Sequence, residues 1–193
     1  MSGKGCPEPR QTTMSPLGRR PPCPDRRACR QAARAGRSSP PCSPCCRPPR
    51  SPSPGQPDVR RRCNGWGPVE RDMSNGERDP ADGGPLTLAG TVYDKGLGTH
   101  AAGEVVVGLD GGYRRFAAVV GVDDEVGAKG TVVFEVLGDG RTLLTTGVLG
   151  GAGPAFPVDV DVTGVRQLTL RVLDGGDGVD SDHADWADAR LVP

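Results

Sequence analysis

Aromatic side chains are scarce in this chain of 193 residues: three Phe, two Tyr and two Trp, none before Trp66. Histidine is scarcer still, with only His100 and His183. Two histidines exclude the histidine-rich metal centres of many hydrolases. No run approaches the ~18–20 apolar residues of a membrane span. The start also lacks the ~7–15 apolar residues that follow a basic segment in a secretory signal. Cysteine ends at Cys63, so the remainder can have neither a thiol nucleophile nor a disulfide framework of its own. Large apolar side chains other than cysteine are nearly missing from residues 1–62, which offer only Met1, Met14, Leu17 and Val59. Ordering one residue costs on the order of 1–2 kcal/mol, so that stretch cannot fold by burial.

What is present divides the chain in two. Residues 1–63 hold 14 of the 20 prolines, with 14 Lys+Arg against Glu8, Asp25 and Asp58, a formal charge of +11. The remaining 130 residues hold 10 Lys+Arg and 21 Asp+Glu, a charge of −11. Overall neutrality is thus a cancellation, and each part is read alone. High charge with abundant proline and no aromatic residue predicts a disordered, low-complexity tail over 1–63. Arg19-Arg20, Arg26-Arg27 and Arg60-Arg61-Arg62 could meet phosphates, but no aromatic residue is interleaved for base stacking, and nucleic-acid binding is not expected. Cys42, Cys45 and Cys46 have zinc-like spacing without a matching second pair, and Cys6, Cys23 and Cys29 do not supply one. Seven cysteines with no core to staple also argue against a disulfide scaffold. Thirteen Arg to one Lys, with Pro, Ala, Gly, Ser and Cys around them, is what GC-rich DNA yields when translated out of frame or from a wrong start. Tryptic peptides from 1–60 in normal abundance would end that idea.

Beyond the tail the apolar period is two. Val158, Val160 and Val162 alternate with Asp159 and Asp161, while Leu168, Leu170 and Val172 alternate with Thr169 and Arg171. Such alternation predicts half-buried antiparallel strands. Asp110-Gly111-Gly112, Gly138-Asp139-Gly140 and Thr163-Gly164 supply hairpin turns between them. About eight strands are expected, over 86–93, 104–109, 113–122, 131–137, 141–146, 157–162, 165–173 and 186–192, with no helix. Short strands joined by Gly-rich turns predict an all-β sandwich or jelly roll over 64–193.

Several strings carry a further resemblance. Asn64-Gly65-Trp66-Gly67-Pro68-Val69-Glu70-Arg71-Asp72 opens it, followed by Ser74-Asn75-Gly76 and Gly83-Gly84-Pro85-Leu86. Lys95-Gly96-Leu97-Gly98-Thr99-His100-Ala101 and Asp182-His183-Ala184-Asp185-Trp186-Ala187-Asp188-Ala189 fix several uncommon residues at set offsets. In these strings the chain resembles the NPCBM family, carbohydrate-binding module family 51. The resemblance implies a galactose-binding-like jelly roll that recognises galactose-containing or related glycans, as an ancillary domain or fragment of a bacterial glycoside hydrolase. It also implies an extracellular setting and a catalytic domain, of α-galactosidase or family 98 type, expected upstream. The family's usual first strand would fall on Arg60-Arg61-Arg62-Cys63, which composition assigns to the tail.

Sugar recognition needs an aromatic face and a few fixed polar groups. The candidates are Lys95, His100, Asp182, His183 and Trp186. Strict alternation would turn Trp186 away from Ala187, Ala189 and Leu191 toward a ligand, whereas a bulge before Ala187 would return it to the core. Each histidine could serve sugar hydroxyls or bond to backbone at a strand end, and Lys95 and Asp182 could join the same rim or be ordinary surface charges. Asp174, Asp177 and Asp180 are weak Ca²⁺ candidates, a solvated acidic loop being the alternative. Twenty-one acids make any carboxylate pair uninformative, and no catalytic elbow, phosphate loop or zinc-protease motif occurs. A non-catalytic binder is expected, and the alternative is a structural spacer or protein-adhesion sandwich without a sugar site.

Overall fold

In the computed structural model, residues 57–193 are described. The low-complexity, zinc and nucleic-acid readings of the tail lie outside these residues up to position 56. Thirteen strands and one 3-10 turn form the domain: β1 (Asp58–Cys63), β2 (Glu70–Arg71), β3 (Leu86–Leu88), β4 (Thr91–Tyr93), β5 (Gly96–His100), β6 (Gly103–Gly108), β7 (Arg115–Val122), the turn Asp124–Val126, β8 (Thr131–Gly138), β9 (Arg141–Thr145), β10 (Leu149–Gly150), β11 (Phe156–Asp161), β12 (Gln167–Asp174) and β13 (His183–Val192). One sheet runs β1-β6-β12-β8-β10, with β9 also on β8, and the other runs β11-β7-β13-β5-β2. Every pairing is antiparallel. The expected all-β sandwich is the fold of the domain.

The alternation becomes the core. Val158 and Val160 are buried while Asp159 and Asp161 stay exposed. Val132, Phe134 and Val136 of one sheet join Phe116, Ala118, Val120 and Trp186 of the other in one apolar cluster. Phe134 meets Trp186 edge-on at 5.0 Å between ring centroids, a favourable aromatic geometry.

Two elements depart from the expected pattern. β1 occupies the last six residues assigned to the tail and pairs with β6. As an edge strand it exposes Arg60 and Arg61, which pair with Asp58, Asp110 and Glu104. Charge on an edge discourages pairing with other chains. Cys63, at its end, is disulfide-bonded, which corrects the expectation of no disulfide at that position. β5, with glycine at two of its five positions, gave no apolar alternation, yet it lies between β13 and β2. Gly98 allows that packing, because a Cβ there would collide with the Met73 carbonyl and would lie 2.5 Å from the Ser74 carbonyl carbon.

The outer face of the β5–β13–β7 sheet is covered in turn by the β3–β4 hairpin. Leu86 and Leu88 are buried there. The hairpin lies close, since a Cβ on Gly96 would sit 2.8 Å from the Leu86 side chain and one on Gly121 3.2 Å from that of Leu88. Asp123 and Asp124 tether it through the backbone N–H groups of Thr87, Ala89 and Gly90. The single expected strand over 86–93 is this hairpin, turned at Ala89-Gly90, both with positive φ.

Candidate functional site

β5 and β13 run antiparallel with His100 opposite His183. This register brings the two histidines together at one end of the sandwich, their ring centroids 5.3 Å apart. β1 also ends there, with Cys63 opposite Glu104, and the loop after it continues into Trp66. Asn64 fixes that loop by donating to the Trp66 and Pro68 carbonyls and accepting from the His100 N–H. Asn75 donates to the same two carbonyls. Gly65 and Gly67 permit the close approach: Gly65 lies on the Ala101 carbonyl, and a Cβ on Gly67 would fall 2.8 Å from the Glu77 Cα.

His183 is held between two carboxylates, Nδ1 2.6 Å from Glu125 and Nε2 2.9 Å from Glu77. Ser74 donates to the other oxygen of Glu125. Burial works against charge on this ring, but the hydrogen bonds to Glu125 and Glu77 outweigh it and raise the His183 pKa. A carboxylate at each ring nitrogen favours the charged form of His183. His100 goes the other way. Burial lowers its pKa, the Ala101 hydrogen bond opposes that, and the neighbouring His183 adds to the lowering. Its Nδ1 donates to the Ala101 carbonyl at 2.8 Å, the strand-end backbone bond that was one of its two readings.

Trp66 is 60% exposed on a loop fixed against His100 and Glu77. The Glu77 and Glu125 side chains are 48% and 36% exposed. This end of the molecule therefore carries an exposed tryptophan and two part-exposed carboxylates oriented by their hydrogen bonds to His183. Trp66, Glu77 and Glu125 were not among the sequence candidates. Trp66 could have been found as the one tryptophan outside any alternating segment, but nothing local marks Glu77 or Glu125.

The other candidates separate. Trp186 is fully buried and is corrected from ligand platform to core residue. β13 carries one extra residue between Ala187 and Arg190 relative to β7, at Asp188 with φ 48°. The bulge thus follows Ala187 rather than preceding it. It puts Trp186 on the same face as Ala189 and Leu191, which pack against the core cluster. Lys95 adjoins the opposite end of β5 from His100, in an ion pair with Asp72 at 2.9 Å, and is no part of the histidine rim. Asp182 is fully buried; Oδ1 accepts from the Thr131 N–H and Oδ2 has no partner. Burial raises its pKa to about 6, and Asp177, Asp174 and Asp180 push it the same way. Asp174 accepts from the N–H groups of Gly176 and Gly178, and Asp177 accepts from the Thr131 hydroxyl. Among the described residues no three His, Cys, Asp or Glu side chains converge as a metal site; Asp174 closes a turn over Gly176 and Gly178, and Asp177 ties the loop to Thr131. Among the described residues no helix is long and apolar enough to cross a membrane.

Known proteins share this architecture. A Clostridium perfringens module, CBM51 from GH95, solved in complex with methyl-galactose, is 35% identical with a TM-score of 0.64, covering 70% of this chain and 94% of that one. CBM51-2 of C. perfringens ZmpB, solved with GlcNAc, is 30% identical with a TM-score of 0.63, covering 69% of this chain and 29% of that one. A Renibacterium salmoninarum protein named as a candidate endo-alpha-N-acetylgalactosaminidase is 42% identical over 129 residues, 67% of this chain. Alpha-1,3-galactosidase B of Akkermansia muciniphila is 33% identical over 107 residues, 53% of this chain. The matched parts span 8% and 13% of those two proteins. The NPCBM/NEW2 domain description matches residues 56–192, which takes in β1 and every later strand. By that match the chain belongs to the NPCBM/NEW2 domain family.

Proposed function

We propose that the domain binds a saccharide, without transforming it, at the loop end formed by Trp66, Glu77, Glu125 and His183. The observation that carries this reading is the exposed Trp66 on a loop packed against Glu77, which with Glu125 brackets the His183 ring. An indole face suits the C–H surface of a pyranose, and oriented carboxylates accept from ring hydroxyls. Galactose-containing or related glycans are the expected class, in keeping with the methyl-galactose held by a module 35% identical to this chain. Catalysis is not expected. A glycosidase sets two carboxyl groups across an open cleft, about 5–9.5 Å apart, whereas Glu77 and Glu125 are both engaged with His183. The setting that fits best is an extracellular ancillary domain of a glycoside hydrolase, with a catalytic neighbour elsewhere in the protein.

Glycan-array binding and titration calorimetry with galactosides and N-acetylhexosamines test this. Wild type should bind and Trp66→Ala should lose at least tenfold in affinity with its melting temperature unchanged. Aryl galactosides should not turn over. Binding that survives Trp66→Ala would move the site elsewhere. No binding to any glycan would leave a structural spacer or a protein-adhesion module.

A further inference from the structure

Asp185 is fully buried in the middle of β13. Its strand neighbours are Gly98 on β5 and Gly121 on β7, so no side chain flanks it on either side. Neither of its oxygens receives a hydrogen bond from any N–H or hydroxyl group. The neighbouring chain runs on from Val122, opposite Ala184, to Asp123, whose N–H donates to the His183 carbonyl. The Asp123 side chain therefore stands on the same face as Asp185, one step along, with Asp124 and Glu125 adding further negative charge. Asp123 is itself buried and already committed. Oδ2 accepts from the Thr87 N–H of the hairpin at 3.0 Å, and Oδ1 accepts from the Glu125 N–H at 2.8 Å. The second bond caps the 3-10 turn and so sets where the Glu125 carboxylate meets His183.

We infer that Asp185 is held as a neutral carboxylic acid whose O–H donates to Asp123, and that this bond positions Glu125 beneath the saccharide-binding end. Two buried carboxylates in contact cannot both be charged, and Asp185, lacking any other donor, is the one that keeps the proton. The charged and titratable groups around it are Asp123, Asp124 and Glu125 on the turn side and His183 two residues earlier on β13. The opposing strand β5 presents glycine at the paired position, and β3 presents leucines. Burial, then Asp123, raises the Asp185 pKa well above the ordinary carboxylate range, which agrees with the geometry.

The positioning role rests on the saccharide reading, but the protonation does not. Carboxyl carbon NMR of the full chain should show Asp185 in its protonated range at pH 7. Asp185→Asn retains a donor toward Asp123 and should keep glycan affinity within twofold and the His183 imidazole titration unchanged. Asp185→Ala should lower the His183 pKa and weaken glycan binding at least tenfold. An ionised Asp185 at pH 7, or an Asp185→Asn chain as defective as Asp185→Ala, overturns the proposal. If Asp185→Ala does not fold, the wild-type carboxyl shift and the Asp185→Asn titration still decide it. If no glycan binds at all, the binding reading fails while the carboxyl and imidazole titrations still judge Asp185.

Discussion

The two tryptophans of this domain stand at opposite extremes of exposure, Trp186 at 0% and Trp66 at 60%. Trp186 lies between the sheets against Phe134 and Phe116, and its Nε1–H finds no acceptor. Trp66 makes its position through backbone contacts on either side of it, leaving the ring to solvent. One holds the fold and the other is available to a ligand. Trp186→Ala should therefore destabilise by about 3–5 kcal/mol, the range for emptying a large aromatic from a core, as read by denaturant unfolding. Trp66→Ala should stay within about 0.5 kcal/mol of wild type, as surface changes do. Equal losses for the two would erase the distinction.

The same contrast between interior and loop end has a pH signature. Asp182 and Asp185 have raised pKa values, so in the acid range the folded state holds protons that the unfolded chain releases. Stability must then fall as pH rises from about 4. For Asp182 that fall is complete just above its folded pKa of about 6. Asp182→Asn keeps an oxygen for the Thr131 N–H and removes the charge. It should gain on the order of 1–2 kcal/mol at pH 7 and nothing at pH 3.5. His183 continues the trend at higher pH. Its raised pKa gives stability that is complete below about pH 6.5 and is lost as pH passes through the folded value. His183→Gln should flatten that alkaline part of the melting profile and leave the acid part alone. A wild-type melting temperature that rises steadily from pH 5 to 9 would contradict both assignments.

The interior was far more legible than the loop end. Alternation fixed β7, β8, β11 and β12 and most of the core because burial on one face leaves a period of two in the sequence. β1 was hidden by its arginines, which an edge strand tolerates on its exposed side. β5 was hidden by glycines that allow close packing, Gly98 against 73–75 and Gly96 against Leu86 and the Trp186 carbonyl, a tertiary requirement with no local mark. Trp186 was ambiguous for a related reason: the bulge at Asp188 shifts the alternation by one residue, and only the β7 register reveals where. His100 and His183 were found because histidine is rare, but the two carboxylates that hold the His183 ring lie 106 and 58 residues upstream of it, at Glu77 and Glu125 respectively. Such distances leave no spacing to read.

Lys95 supplies the finest test of the contrast, because it shares one sequence string with His100 yet adjoins the other end of β5. Asp72 has φ 62° and accepts from both the Lys95 ammonium and the Gly96 N–H, while its own N–H donates to the Gly96 carbonyl. The pair therefore fastens the short β2 edge to β5. The Lys95 hydrogen bond, against some burial and with help from Gly96, lowers the Asp72 pKa. A lowered pKa gives stability that is present above about pH 4 and is lost as pH falls through the folded value, the reverse of the Asp182 sign. Since the Lys95 side chain is 72% exposed, solvent screens the pair, and Lys95→Ala should lose no more than about 0.5 kcal/mol at pH 7. That loss should shrink in 1 M salt and vanish near pH 2, with glycan affinity unchanged throughout. A Lys95→Ala chain that folds normally but no longer binds glycans would place the lysine back in the site and move the binding surface along β5.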